Sequence, residues 1–127
     1  MLYLDVEEII AIHFATIKNY GGSYEILDLE KLKSCAETPQ QTMFGEDLYP
    51  DLLSKAAIFF LLLIKNHAFL DGNKRTAILA VSEFLKRNGE FLTANNDELY
   101  DFAIKSATSK LDKDQIADWI RAHMREK

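Results

Sequence analysis

Nine consecutive apolar residues, Ala56 to Ile64, stand between Lys55 and Lys65, and no other stretch limits the possible folds as strongly. A membrane-spanning helix needs about 20 such residues, so the run belongs to a core. Read at helical spacing it is apolar on nearly all sides, which places it at the centre of a bundle. The flanking segments supply helices to surround it. Asp5 and Glu8 have capping-box spacing ahead of Ile9, Ile10, His13, Phe14 and Ile17, and Gly21-Gly22 ends that pattern. Asp28 heads a second helix carrying Leu29, Leu32 and Cys35, which runs out near Thr38-Pro39. The central helix is expected over 51–66, a fourth over 74–88 ending at Gly89, a fifth over 97–109 and a sixth over 112–125. Asp112 and Gln115 repeat the capping-box spacing. Residues 23–27 read as a short extended piece, and 39–50 as an irregular connection broken by Gly45 and Pro50. The expected fold class is all-α, a compact bundle of about six helices forming a single domain over 1–127, without repeat or linker.

Composition narrows the function. With 48% hydrophobic and 28% charged residues among 127, the chain suits an ordered domain with a real core. A net charge of −5 and the lack of a recognition motif argue against direct nucleic acid binding. The acidity is uneven: Lys65, Lys74, Arg75, Lys86 and Arg87 face only Asp71 and Glu83 between positions 65 and 87. Such an island suits a small anionic ligand. Cys35 is the one cysteine, which excludes an intrachain disulfide, fits a reducing cytosol and reads as a small buried hydrophobe. Met1 to Asp5 lack the basic start and apolar run of a leader. A cytoplasmic protein without membrane contact is expected.

The loop between the central and fourth helices carries the chemistry: His67-Ala68-Phe69-Leu70-Asp71-Gly72-Asn73-Lys74-Arg75. A histidine changes charge near neutral pH, as a general base requires. Asp71 offers the hard oxygen that Mg²⁺ prefers when it is shared with phosphates. Gly72 permits close backbone approach. Asn73, Lys74 and Arg75 open a helix, whose free N–H groups and dipole attract anions. Lys74 adds a point charge, and Arg75 can grip two oxygens. Two cations at a helix start are each unfavourable by about 0.3–1 kcal/mol unless an anion lies there. Phe69 reads as a buried anchor for the loop.

These nine residues resemble the signature of the Fic/Doc family, His-x-Phe-x-(Asp/Glu)-Gly-Asn-(Gly/Lys)-Arg, at seven specified positions: His67, Phe69, Asp71, Gly72, Asn73, Lys74 and Arg75. Tyr20-Gly21-Gly22, Leu48-Tyr49-Pro50, Lys55-Ala56-Ala57, Lys65-Asn66 and Phe84-Leu85-x-x-Asn88-Gly89 extend the resemblance to the Doc branch. The resemblance implies an all-α fold and a toxin with catalytic His67. It implies Asp71 as the Mg²⁺ ligand, and Gly72, Asn73, Lys74 and Arg75 as the residues that hold the phosphates of ATP.

AMP-transferring members usually have Pro after the His, Gly after the Asn, and a further Arg. Here those positions are Ala68, Lys74 and Ile78. Doc toxins share the lysine, and transfer the γ-phosphate of ATP to a threonine of elongation factor Tu, which stops translation. The resemblance therefore favours a kinase, with AMP transfer or an inactive binding module as alternatives. Gly72 is common to both patterns. The Gly-Ile-Arg-Asp of many Doc relatives is Glu25-Ile26-Leu27-Asp28 here. The self-inhibitory pattern (Ser/Thr)-x-x-x-Glu-(Gly/Asn) is not met, because Asp47 follows Glu46 in the stretch from Thr42. Control by a separate, Phd-like antitoxin is expected.

His13 is expected to be packed and hydrogen-bonded, Trp119, Phe59 and Phe60 to be core, and His123 to be solvated. Two roles stand open for Met43-Phe44-Gly45: a flap that holds a target beside His67, as in the family, or a loop pinned by burial of Phe44.

Overall fold

The computed structural model describes residues 1–109 and 111–126. Among the described residues six α-helices follow one another: α1 (Val6–Tyr20), α2 (Leu29–Glu37), α3 (Leu52–Lys65), α4 (Asn73–Arg87), α5 (Asn96–Thr108) and α6 (Lys113–Ala122). The small strands form two antiparallel pairs, β1 (Thr42–Met43) with β2 (Glu46–Asp47), and β3 (Glu90–Leu92) with β4 (Met124–Glu126). The fold is a compact, predominantly helical one, as the sequence leads one to expect.

Local chemistry starts most of these helices. Asp5, Asp28, Asp51, Asn95 and Asp112 each accept a backbone N–H from the first turn of the helix they precede. Four of these ends close the reciprocal capping box, at α1, α3, α5 and α6. Gly21 then ends α1 with φ +87°.

Helix α3 is the central one. It packs against α2, α4, α5 and α6, while α1 lies across α4 and α2. Ala56, Ala57, Phe59, Phe60, Leu63 and Ile64 are buried along it. Burial of each large side chain stabilises the fold by about 1.5–3 kcal/mol. Phe60, Phe102, Trp119 and His123 form a continuous aromatic stack that ties α3, α5 and α6 together.

The chain departs from its sequence-based reading in three places. The connection over 39–50 is not wholly irregular, since it contains the β1–β2 hairpin turned at Phe44-Gly45. Phe44 is 99% exposed at its tip, which removes the reading of a loop pinned by phenylalanine burial. The hairpin is anchored instead by Lys55, 1% exposed, whose Nζ donates to the Pro39 carbonyl and to Asp47 Oδ2, both at 3.2 Å. The sixth helix stops at Ala122 rather than Arg125, because the chain turns at His123 and pairs with β3. His123 is not simply solvated: its Nδ1 lies 2.8 Å from the Trp119 carbonyl and its ring stacks on Trp119.

Candidate active site

The loop of 66–72 between α3 and α4 is held from several sides. After Asn66 the chain enters the left-handed region at His67, φ +46°, a conformation histidine adopts more readily than most residues. The extended piece over 23–27 then runs beside the loop. The Ala68 carbonyl accepts from Leu27 N–H at 2.8 Å and Asp28 N–H at 3.2 Å, and Leu70 N–H donates to the Glu25 carbonyl at 3.1 Å. Phe69 is buried and stacks on His13, with ring centroids 3.7 Å apart. His13 Nε2 lies 2.8 Å from the Asp71 carbonyl, which can only accept, so Nε2 carries the proton. Burial pushes the His13 imidazole below its ordinary pKa, against the opposing pull of that carbonyl.

Two glycines make this approach possible. A Cβ on Gly72, φ +81°, would lie 3.1 Å from Ile17 Cδ1. A Cβ on Gly22, φ +113°, would lie 3.0 Å from Asp71 Cβ. Both close approaches are between α1 and its continuation on one side and the loop on the other. The conformational freedom expected at Gly72 for a ligand therefore also serves packing of the chain on itself.

His67, Asp71, Gly72, Asn73, Lys74 and Arg75 all line one cleft of about 450 Å³. Tyr20, Gly22 and Tyr100 are among the other residues that line it. The His67 ring is exposed and makes no hydrogen bond among the described residues. Asp71 Oδ2 accepts from Ser23 N–H at 2.8 Å, and the other carboxylate oxygen has no protein donor among the described residues. The side chain of Asn73 is spent on the loop. Its Oδ1 accepts from Phe69 N–H at 3.2 Å and its Nδ2 donates to the Phe69 carbonyl at 2.8 Å. What Asn73 retains for a ligand is its backbone N–H.

Among the six described α-helices, α4 alone has no side-chain cap, because Gly72 stands where the others carry Asp or Asn. Its first N–H groups are therefore left for another acceptor. Lys74 and Arg75 project from this same turn, and neither makes an ion pair among the described residues. An uncapped helix start with two unneutralised cations is built to receive an anion.

The basic island read from the sequence divides in space. Arg87, at the far end of α4, pairs with Glu8 and Glu83 and donates to the Tyr3 carbonyl. Lys65 donates to the carbonyls of Ala107 and Ser109. Only Lys74 and Arg75 face the cleft. Among the described residues no three His, Cys, Asp or Glu side chains converge. Asp71, with one carboxylate oxygen free of protein donors among the described residues, could hold a divalent cation shared with ligand phosphates. Cys35 takes no part: it is buried, and burial pushes its thiol up to about 11. Sequence reasoning missed Tyr100, which arrives from α5 and gives no local signal, and Ser23, whose contribution is a backbone N–H.

A model of the Fic/DOC family matches residues 3–85. The protein named Toxin Doc from Mycolicibacterium smegmatis is 39% identical over 117 residues, covering 91% of this chain and 88% of that one. The protein named Protein kinase doc from Escherichia phage P1 is 31% identical over 121 residues, covering 95% and 94%.

Proposed function

The chain belongs to the Doc branch of the Fic/Doc family, and from that membership we propose that it is the toxin of a toxin–antitoxin pair, acting as a Mg²⁺-dependent protein kinase. The observation that carries this reading is the start of α4, uncapped and bearing Lys74 and Arg75 free of protein anions beside Asp71 and His67. The triphosphate of ATP is the anion proposed to fill it. Gly72, Asn73 and the following backbone N–H groups lie against its oxygens, with Lys74 and Arg75 neutralising charge.

His67 accepts the proton of a threonine hydroxyl on the protein substrate. The hydroxyl oxygen attacks the γ-phosphorus, the bond from that phosphorus to the bridging oxygen breaks, and ADP leaves. Asp71 would hold Mg²⁺ together with the phosphates, and the ion would spread the charge of the transferring group. Ser23 N–H on one carboxylate oxygen keeps Asp71 turned toward the cleft. Elongation factor Tu is the proposed target, with arrest of translation as the outcome. The relative named as a kinase supports γ-phosphate transfer.

The partner proposed to restrain the enzyme is a Phd-like antitoxin. The near-match to the self-inhibitory pattern lies in the β1–β2 hairpin, where Thr42 pairs with Asp47. That segment forms no inhibitory helix.

One experiment separates the readings. The chain is incubated with Mg²⁺ and a bacterial extract, in parallel with ATP labelled at the γ- or the α-phosphate. Label on protein from the γ position alone is expected. Label from the α position would make it an AMP transferase, and no label from either would leave a binding module.

A further inference from the structure

Arg75 is the cation of the cleft with the most defined surroundings. Its guanidinium carbon lies 4.0 Å from the ring centroid of Tyr20 and 4.6 Å from that of Tyr100. Tyr20 is the last residue of α1, and Tyr100 lies in α5. The two rings therefore bring three helices together at one guanidinium. Among the described residues Arg75 makes no hydrogen bond and no ion pair, so aromatic contact alone locates it. The three side chains line both the main cleft and a neighbouring pocket of about 80 Å³.

We propose that Tyr20 and Tyr100 are positioning residues that hold Arg75 for an anionic ligand. A guanidinium has five N–H donors, all in its plane. Aromatic rings attract the cation through their quadrupoles without neutralising its charge, and no acceptor among the described residues takes those donors. A carboxylate would hold the arginine as firmly, but it would occupy the donors and neutralise the charge. The stack leaves both for phosphate oxygens, and it removes rotamer freedom that a long side chain would otherwise lose on binding. The proposal rests on the reading of the cleft as a nucleotide phosphate site.

The test is a double-mutant cycle on the full chain, read by calorimetric titration with ATP and Mg²⁺. Tyr20 is 63% exposed, so its replacement leaves the core intact. Tyr20→Phe keeps the ring and is expected to bind within about twofold of the parent, whereas Tyr20→Leu is expected to bind about fivefold more weakly. In an Arg75→Ala background, Tyr20→Leu is expected to change nothing further, because its partner is gone. Tyr100→Leu and Tyr100→Phe are expected to behave in the same way. An equal loss in both backgrounds would mean that the tyrosine meets the ligand itself, and would overturn the proposal; so would no loss in either. If the parent chain does not bind ATP, the nucleotide reading fails, and the stack is still read by NMR. Ring currents are expected to shift the Arg75 Nε–H proton upfield in the parent and in Tyr20→Phe, and to release it in Tyr20→Leu. An unmoved signal would overturn the stack as well.

Discussion

The proposed mechanism assigns His67 to the incoming hydroxyl and Lys74 to the nucleotide phosphates, and single substitutions separate them. His67→Ala is therefore expected to abolish transfer while leaving ATP affinity within a few-fold, measured by γ-label incorporation and by titration of the same preparation. Parallel loss of binding and transfer would remove His67 from the role of base. Lys74 carries the distinction between the two chemistries. As a phosphate ligand of a kinase, it contributes one charged hydrogen bond in the transition state. Lys74→Gly should then lower kinase kcat/KM roughly 10- to 150-fold, equivalent to about 1.5–3 kcal/mol of transition-state binding. In an AMP transferase the same change would open the site and raise α-label transfer. The two activities on one variant decide between them. Their opposite signs follow from the position of Lys74 in the first turn of an uncapped helix. A cation there can neutralise a phosphate or occupy its place, but not both.

Helices α1 and α4 form one wall of the cleft and are joined at their far end by Arg87. The Arg87 guanidinium, hydrogen-bonded to Glu8, holds that carboxyl below its ordinary value of 4.5, and the Asp5 N–H adds to the effect. A depressed carboxylate contributes stability that is present above its unfolded value and is lost as the pH falls through the folded one. The contribution of Glu8 is therefore complete at neutral pH and fades below about pH 4.5. Glu8→Gln isolates this charge, because glutamine still closes the capping box on Asp5. The variant is expected to unfold at lower urea than the parent at pH 7, with the difference shrinking as the pH falls below about 4.5. Glu8 is partly exposed, so the effect should also fall with added salt. A difference that stays constant with pH would mean that the loss comes from packing.

At the scale of the whole molecule, the proposed site stands in a sequence where the self-inhibitory pattern is not met, Asp47 following Glu46. Expression alone in bacteria is therefore expected to arrest growth. Co-expression of a Phd-like partner is expected to restore it, and His67→Ala should be tolerated without a partner. Growth curves of the three cultures check this. Unaffected growth at high level of the unaltered chain would sink the toxin reading. No helix of the described residues is long and apolar enough to cross a membrane. The hairpin of 42–47, anchored by buried Lys55 and bare at Phe44, is the surface whose role in target contact the same assays can address by Phe44→Ala.

The helices were legible in the sequence because their signals are local. A cap at Asp5, Asp51 or Asp112 closes with a residue three positions on. The apolar run of α3 declares a buried helix without reference to a partner. The residues of the loop from His67 to Arg75 were legible for the same reason, as near neighbours along one turn between two helices. The short strands were not. Segments of two or three residues show no period, and β3 meets β4 only after α5 and α6 have turned the chain back. The expected helix over 74–88 already sets Lys74 and Arg75 apart from Lys86 and Arg87, but that Glu8 from α1 takes up the charge of Arg87 was equally hidden. Tertiary structure decided which groups are committed and which are free. Asn73 gives its amide to Phe69, Arg87 gives its charge to Glu8, and the Arg75 side chain, beside two rings from distant helices, has no hydrogen-bond or ion-pair partner among the described residues. Residue types can be read one at a time, whereas the commitment of a hydrogen-bonding group depends on what the folded chain places beside it.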